Sequence, residues 1–215
     1  MIEKISEKSV ARLSKYRQLL QAIHAGGETC IYSHQIAAHC NATAAQVRRD
    51  LMGVGYVGTP QRGYAVKELL DSLSALLDAP QGHKIALVGI GHLGRALLDF
   101  LQEHHPRLVL VAAFDIDPGK TNRVMHGVHC HPLDTIREVV RREGAEIGVI
   151  CVPATAAQDV ADRLVDGGIR GVLNFAPVVL RLPRHVYVEH LDITMFLEKV
   201  AFFGRHRSTE EVVGP

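Results

Sequence analysis

A glycine-rich turn between a strand and a helix most constrains the fold of this chain. Residues 84–88 form a short apolar run typical of a buried strand. The run leads directly into Gly89-Ile90-Gly91-His92-Leu93-Gly94 and then into a helical stretch, residues 95–103. Glycines at these spacings allow a tight turn, close approach of the backbone to a pyrophosphate, and close packing of helix on sheet. The pattern predicts a dinucleotide-binding turn, with phosphates at the helix N-terminus.

An acidic residue follows this turn at the spacing that a dinucleotide site requires. Residues 108–114 form a second β-rich run that ends at Asp115, and Ile116 and Asp117 come next. A carboxylate about twenty residues beyond the last glycine accepts hydrogen bonds from adenosine ribose hydroxyls and repels a 2′-phosphate. The spacing therefore predicts a site for NADH or NAD+ rather than NADP(H). A mononucleotide or coenzyme A site on the same fold is the alternative.

Strands and helices alternate through the rest of this half of the chain. Further strands are predicted at residues 128–131, 147–151, 171–174 and 186–188, with helices at 133–142 and 155–165. This alternation predicts an α/β fold with a Rossmann doubly wound parallel sheet.

Two later strand ends carry residues suited to the nicotinamide end of the predicted cleft. Cys151-Val152-Pro153 follows one strand, and Asn174-Phe175 follows the next. Ligands of such sheets bind at the carboxyl ends of the strands, where these residues would supply apolar surface and a few polar groups. Ordinary strand-to-loop turns are an equally good interpretation.

Residues 1–80 have a different pattern. Apolar residues recur at helical spacing over residues 10–25, and glycines 26 and 27 end this stretch. Ser33 is predicted to cap a short second helix over residues 35–40, and Thr43 with Gln46 has the capping-box form that starts a third. Two short helices behind a longer one predict a helix-turn-helix.

The predicted third helix has the composition of a DNA-reading helix. Ala44, Ala45 and Gln46 lie in its first turn, where side chains reach base edges. Small residues let a helix sit deep in the major groove, and glutamine can pair with adenine. Arg48 and Arg49 can contact phosphates or guanine.

A predicted hairpin over residues 53–66 makes this unit a winged helix, with Arg62 and Gly63 at the wing. An arginine there could enter a minor groove or contact a phosphate. The expected DNA-binding residues are Ser33, Ala44, Ala45, Gln46, Arg48, Arg49, Arg62 and Gly63. A helical interaction domain with solvent-facing arginines is the alternative. A further helix over residues 68–77 and a turn at 78–82 end the unit.

The overall composition limits the function classes. The 215 residues carry a formal net charge of +1, so DNA affinity must come from a local basic patch. No apolar run approaches the ~20 residues of a membrane helix, and no signal-peptide pattern opens the sequence, so we expect a cytoplasmic protein. The four cysteines show no CxxC and are expected to be free thiols. We interpret His126, His129 and His131 as loop and strand residues, not metal ligands.

Residues that would support hydride-transfer catalysis are not recognisable. About forty residues remain after Pro177, and they predict one strand and one terminal helix over residues 193–205. The apolar stripe of that helix is expected to pack on a partner subunit. We therefore predict a ligand sensor with no catalytic residues. A compact NAD-dependent oxidoreductase with an N-terminal interaction domain is the alternative.

Over almost its whole length the chain resembles the Rex family of bacterial redox-sensing transcriptional repressors. The matching stretches are Arg12-Leu13 with Tyr16-Arg17, Ala45-Gln46-Val47-Arg48-Arg49-Asp50-Leu51, Gly63-Tyr64-Ala65-Val66, the glycine turn, Ala113-Phe114-Asp115-Ile116-Asp117, Val152-Pro153-Ala154, Gly171-Val172-Leu173-Asn174-Phe175-Ala176-Pro177 and His190-Leu191-Asp192-Ile193.

The resemblance implies a homodimer in which each subunit has three parts. These are a winged-helix DNA-binding domain over residues 1–80, a Rossmann NAD(H)-binding domain over 81–190, and a swapped C-terminal helix and tail over 191–215. Each terminal helix would insert between the two domains of the other subunit. The family binds palindromic operator DNA when NADH is scarce. NADH releases the DNA, whereas NAD+ competes without releasing it.

The resemblance also implies residues that couple cofactor binding to DNA release. By motif these are Arg12 of the first helix and Asp192 before the terminal helix. Family members often carry a tyrosine near the end of the helix that follows the glycine turn, and this tyrosine is the third coupling residue. This chain has Phe100 at that position. The missing hydroxyl removes a hydrogen bond worth about 1 kcal/mol, which predicts a less favoured closed state unless other contacts hold it.

Overall fold

A computed structural model describes residues 5–59, 62–104 and 107–210. The chain divides into two compact units, Met1–Pro80 and Gln81–Pro215. No helix within the described ranges is both long enough and apolar enough to cross a membrane.

The first unit is helical with a very short ladder. Its elements are α1 (Glu7–Ala25), β1 (Cys30–Ile31), α2 (Ser33–Cys40), α3 (Ala44–Gly53), β2 (Tyr64–Ala65) and α4 (Val66–Leu77). The core holds side chains from all four helices: Leu13, Tyr16 and Leu20 of α1, Ile36 of α2, Val47 and Leu51 of α3, and Leu69 and Leu73 of α4. Burying each large apolar side chain contributes about 1.5–3 kcal/mol, so the helices fold as one body.

Caps define two of the helix starts. Ser6 Oγ accepts a hydrogen bond from the Ser9 N–H at the start of α1, earlier than the predicted start. Thr43 Oγ1 accepts from the Gln46 N–H at 3.1 Å, which confirms Thr43 as the N-cap of α3. Ser33, predicted as an N-cap, is instead the first residue of α2. The N-cap is Tyr32.

The wing differs from the predicted hairpin in its strand pairing. Thr59 and Gly63 exchange backbone hydrogen bonds in a single antiparallel bridge. The strand that follows, β2, pairs with β1 and not with another part of residues 53–66. The sequence analysis missed β1 because two residues are too short to show periodicity. Residues 60 and 61, inside the predicted hairpin, lie outside the described ranges.

A seven-stranded sheet lies at the centre of the second unit. Its strands are β3 (His83–Val88), β4 (Leu108–Asp115), β5 (Arg123–Met125), β6 (Val128–Pro132), β7 (Ile147–Ile150), β8 (Gly171–Asn174) and β9 (Tyr187–His190). Their spatial order is β5-β6-β4-β3-β7-β8-β9. All neighbours are parallel except β5, which is antiparallel to β6 and was missed by the sequence analysis.

Helices cover both faces of this sheet, which confirms the doubly wound prediction. They are α5 (His92–His104), α6 (Ile136–Glu143) after a 3-10 turn (Leu133–Thr135), and α7 (Ala154–Gly167). Ile85 and Leu87 of β3 share a core with Leu98 of α5. The alternate residues Ala86 and Val88 share the opposite core with α6 and α7. The chain crosses from β6 to β7 over β3, so the topological switch point lies between β3 and β7.

The last element, α8 (Ile193–Glu210), begins where the Asp192 Oδ1 accepts the Met195 N–H at 3.1 Å. Several large apolar side chains of α8 are exposed in the single chain: Ile193, Met195, Phe196, Leu197, Val200, Phe202 and Phe203. Apolar surface on this scale indicates a packing partner.

Candidate dinucleotide and DNA-binding sites

Backbone hydrogen bonds join the loops at the carboxyl edge of the sheet. In each bond, the residue just after one strand donates to a carbonyl at or near the end of the neighbouring strand. The pairs are Gly89 to Phe114, Cys151 to Val88, Phe175 to Ile150 and Leu191 to Asn174, at 2.8–3.0 Å. This edge therefore brings together the glycine turn and the two later loops that the sequence analysis selected.

The three glycines of the turn meet different surroundings. Gly89 has φ +94°, and a Cβ there would lie 2.5 Å from the Cys151 carbonyl oxygen, across the switch point. A Cβ at Gly94 would overlap the Gly89 carbonyl and touch Leu87. A Cβ at Gly91 would meet nothing within 4 Å. Gly89 and Gly94 therefore maintain the turn itself, whereas Gly91 leaves space open beside the backbone.

The helix after the turn starts earlier than predicted. α5 begins at His92, and the first hydrogen bond after the turn runs from the Arg95 N–H to the Gly91 carbonyl at 3.0 Å. The first N–H groups of a helix have no partner within the helix. His92 and Leu93 are exposed at this end, so the site has the donors and the helix dipole that an anionic pyrophosphate needs.

Asp115 is buried and already holds three groups of the chain. Its Oδ2 accepts from the Ile90 N–H at 2.7 Å and from Lys120 Nζ at 3.1 Å, and its Oδ1 accepts from the Asp117 N–H at 2.9 Å. Burial favours a raised pKa for Asp115, but these hydrogen bonds outweigh it and hold the pKa below its ordinary value. A carboxylate offers about four acceptor positions, so one remains for a ribose hydroxyl.

The positive charge of Lys120 partly offsets the negative charges of this site, and no pattern in the sequence indicated this residue. Lys120 Nζ lies 3.1 Å from Asp115 and 3.7 Å from Asp117. The repulsion of a 2′-phosphate by Asp115 is therefore weaker than an isolated carboxylate would give. Ile116, between the two acids, is 82% exposed and offers an apolar surface next to Asp115 in the chain.

The two later strand ends differ in what they present. The Cys151 thiol is partly buried, and burial raises its pKa to about 12, so it stays neutral. Val152 lies beside Gly89, and Pro153 is the N-cap of α7. Cys151 and Val152 therefore place neutral groups beside the glycine turn at the switch point.

Asn174 points into the protein. It is fully buried, and its Nδ2 donates to the Ala176 and Val178 carbonyls at 3.1 and 2.8 Å and lies 3.1 Å from His190 Nδ1. Its Oδ1 accepts from the Ala176 N–H. The Asn174 side chain therefore shapes the loop after β8. The next residue, Phe175, is half-buried and packs against the core that contains Leu98 of α5.

The histidine cluster does not converge. His126 pairs with Asp99, while the rings of His129 and His131 contact each other with centroids 4.3 Å apart. Cys130 is buried, and burial raises its pKa to about 11. No group of three or more His, Cys, Asp or Glu residues in the described part of the chain could hold a metal ion. All four cysteines are free thiols.

Several predicted DNA-binding residues share one face of the first unit. Arg48 Nη1 donates to Ser33 Oγ at 3.1 Å, which joins α3 to the start of α2. Arg48 and Ser33 line a cleft on this face together with Tyr32, Tyr64 and Gly63 of the wing. Gly63 has φ +68°, and a Cβ there would lie 2.5 Å from the Ile31 carbonyl, so only glycine fits.

The other predicted DNA contacts differ in their exposure. Ala45, Arg48, Arg49 and Arg62 are exposed, and Ala44 is half-buried in the first turn of α3. Gln46 is only partly exposed. Its Nε2 donates to Asp50 Oδ1, one turn further along α3, so its side chain does not complete the predicted capping box with Thr43.

A buried ionic network on this unit was missed by the sequence analysis. Arg12 Nε and Nη2 donate to the two carboxylate oxygens of Asp50 at 2.6 and 2.7 Å, and the Tyr16 hydroxyl donates to Oδ2 at 3.0 Å. Burial favours a raised pKa for Asp50, but the hydrogen bonds hold the pKa below its ordinary value. Arg12, which the resemblance assigns to coupling, is thus tied to α3.

Comparison with known proteins agrees with both halves of this arrangement. Two family models match, one described as "CoA binding domain" over residues 81–178 and one as "Putative DNA-binding protein N-terminus" over residues 4–51. A redox-sensing transcriptional repressor Rex of Carboxydothermus hydrogenoformans is 41% identical over 93% of this chain and 96% of its own. One from Desulfitobacterium hafniense is 37% identical over 93% of this chain and 95% of its own.

Solved structures give the same result. RSP, a Rex-family repressor, has a TM-score of 0.85 at 27% identity, covering 98% of this chain and 99% of its own. RSP in complex with beta-NADH has a TM-score of 0.86 at 26% identity, with coverages of 98% and 99%. RSP with beta-NAD+ and operator DNA has a TM-score of 0.87 at 27% identity, with coverages of 97% and 96%. The chain therefore belongs to the Rex family of redox-sensing transcriptional repressors.

Proposed function

We propose that this protein represses transcription by binding palindromic operator DNA and that NADH releases it, so that occupancy follows the NADH/NAD+ ratio. The observation that carries the proposal is the presence, in one chain, of two sites. One is the exposed arginine-bearing face of α3, and the other is an open glycine turn held by Asp115. Rex relatives are transcriptional repressors.

The cofactor is NADH or NAD+. The RSP structures were solved with beta-NADH and with beta-NAD+ plus operator DNA, so both redox forms bind a relative of the same fold. In this chain the glycine turn and α5 start would hold the pyrophosphate, and the remaining acceptor of Asp115 would take a ribose hydroxyl. Cys151, Val152, Pro153 and Phe175 would lie toward the nicotinamide.

The functional unit is a homodimer that exchanges its C-terminal helices. Support comes from α8, whose phenylalanines Phe196, Phe202 and Phe203 are each about half exposed in the single chain. A palindromic operator also requires a two-fold symmetric reader. With DNA as its partner, the protein acts in the cytoplasm.

Coupling between cofactor and DNA runs through Arg12, Asp192 and position 100. Asp192 caps α8, so a shift of that helix moves its carboxylate. Phe100 is half exposed on α5 and lacks the hydroxyl of the family tyrosine. Substituting Phe100→Tyr should strengthen the NADH response several-fold, in line with one added hydrogen bond of about 1 kcal/mol.

A titration of DNA binding across NADH/NAD+ ratios tests the proposal. The probe is a duplex that the protein itself enriches from a randomised pool, followed by fluorescence anisotropy at fixed salt. NADH should lower the affinity much more than NAD+ at equal saturation. An unchanged affinity at saturating NADH would remove the sensing function.

The match to a CoA-binding family model over residues 81–178 favours coenzyme A as a second candidate ligand. Thermal-shift measurements with NADH, NADPH and coenzyme A separate the candidates, because a specific ligand raises the Tm by mass action. The proposal expects a rise with NADH and none with coenzyme A.

A further inference from the structure

Asp50 is a buried carboxylate on the reading helix α3. It is 7% exposed, and its two oxygens accept from Arg12 at 2.6 and 2.7 Å, from the Tyr16 hydroxyl at 3.0 Å and from Gln46 Nε2 at 2.9 Å. Arg12 and Tyr16 both lie on α1, whereas Gln46 lies one turn before Asp50 on α3. The carboxylate therefore joins α1 to the first turn of the helix that reads DNA.

The bond from Gln46 determines which way its amide faces. An ionised carboxylate only accepts hydrogen bonds, so the Nε2 end of the amide must face Asp50 and the Oε1 end must face away. One N–H and the Oε1 then remain available at the partly exposed first turn of α3. These are the donor and the acceptor that a glutamine uses to pair with N7 and N6 of adenine.

We propose that Asp50 is a positioning residue for base readout, which holds the Gln46 amide in one orientation and is itself held by Arg12. This inference rests on the proposed function, because it assigns a part in operator recognition. Tyr16 anchors the same carboxylate from α1, so a displacement of α1 is transmitted to the side chain that reads the base. Sequence discrimination at one base pair thus depends on a contact inside the protein.

A comparison of Asp50→Asn, Gln46→Ala and the double variant tests the proposal. The probes are the duplex that the wild-type protein enriches from a randomised pool, a set of duplexes with single base pairs replaced, and an unrelated duplex of equal length. Gln46→Ala should lose about tenfold discrimination at one base-pair position. Asp50→Asn should lose most of the same discrimination at the same position, and the double variant should lose no more than Gln46→Ala.

Two further variants separate positioning from folding. Asp71→Asn removes an exposed carboxylate that pairs with Lys67 on α4, and it should behave as the wild type. Arg12→Lys keeps the charge but loses the two-pronged contact with Asp50, and it should lose part of the discrimination at that same position. If Asp50→Asn weakens binding equally at all positions, or if its loss adds to that of Gln46→Ala, the proposal is wrong.

The side-chain amide signals of Gln46 in a ¹⁵N NMR spectrum give a readout without DNA. They should be well dispersed in the wild type and in Asp71→Asn, and should move toward solvent-averaged positions in Asp50→Asn. Unchanged signals in folded Asp50→Asn would overturn the positioning role. Failure of the wild type to enrich any duplex would instead refute the proposed function, and the NMR comparison would still decide the role of Asp50.

Discussion

The backbone N–H of Ile90 donates a hydrogen bond of 2.7 Å to Oδ2 of Asp115. The acid at the end of β4 therefore holds the glycine turn at the end of β3, in addition to the ribose contact that we propose for it. Lys120 and the Asp117 N–H share the same carboxylate. Cofactor affinity consequently depends on Asp115 in two ways, through the shape of the turn and through its remaining acceptor.

Asp115→Asn should weaken NADH binding by at least about tenfold, because an amide nitrogen cannot accept from Ile90 or Lys120 and leaves a buried donor unpaired. Isothermal titration calorimetry with NADH and NADPH measures the effect. Asp134→Asn, an exposed acid in the same unit, serves as the control. Equal NADH affinity in the two variants would contradict the assignment of Asp115.

Gly91→Val and Gly94→Ala should separate ligand binding from folding. A Cβ at Gly91 would meet no atom within 4 Å, so Gly91→Val should keep the Tm of the ligand-free protein and DNA binding while NADH binding is lost. A Cβ at Gly94 overlaps the Gly89 carbonyl, and the strain should cost about 1–3 kcal/mol of stability. Calorimetry and thermal unfolding distinguish the two. A large drop in Tm for Gly91→Val would show that the open space is occupied.

Arg48→Ala should weaken DNA binding and leave NADH affinity unchanged. The exposed guanidinium lies beside Ser33 on the face that also holds the wing. If Arg48 contacts one phosphate, the slope of log K against log salt should fall by about 0.9. Arg137→Ala, which removes an exposed arginine of α6, is the matched control. The same loss with both variants would indicate non-specific electrostatics.

Acid should destabilise the first unit through Asp50. Its pKa is below the value of about 3.9 for an unfolded chain, so its stabilising contribution is complete above that value. The contribution is lost as the pH falls through the lower folded pKa. Asp50→Asn should lower the free energy of unfolding by about 1–3 kcal/mol at neutral pH. It should also make that free energy fall less steeply as the pH is lowered.

Tyrosine fluorescence during urea unfolding measures this effect, because Tyr16, Tyr32, Tyr56 and Tyr64 lie in the first unit and only Tyr187 in the second. Asp71→Asn should keep the wild-type pH dependence, since Asp71 is exposed. If the free energy of unfolding falls equally with decreasing pH in Asp50→Asn and in the wild type, the prediction is wrong.

Phe202→Asp should convert the dimer into monomers and abolish DNA binding at low protein concentration. Phe202 is 53% exposed on α8, and a buried unpaired carboxylate in an interface is strongly unfavourable. Sedimentation velocity measures the change. Val124→Asp places a carboxylate at another exposed apolar residue, on the edge strand β5, and should stay dimeric. A wild-type monomer would refute helix exchange.

Much of the architecture was predictable because its signals are local. The turn from Gly89 to Gly94 follows a buried strand and opens a helix, and Gly89 and Gly94 each answer a nearby steric requirement. Thr43 caps α3 with its own hydroxyl, three residues from its donor. The strands β1 and β5 were missed because two or three residues carry no periodicity. Pairing with the distant strand β2 stabilises β1, whereas β5 forms a hairpin with the next strand, β6.

The sequence alone was enough to predict the fold class and to locate the glycine turn and the start of α3, because spacing along the chain encodes turns, caps and strand ends. Tertiary structure decided what the charged groups do. Asp50 meets Arg12 across 38 residues, and Asp115 meets Ile90 across 25. No local pattern marks such pairs, since they form only when packing excludes water and each buried carboxylate must find donors elsewhere in the chain.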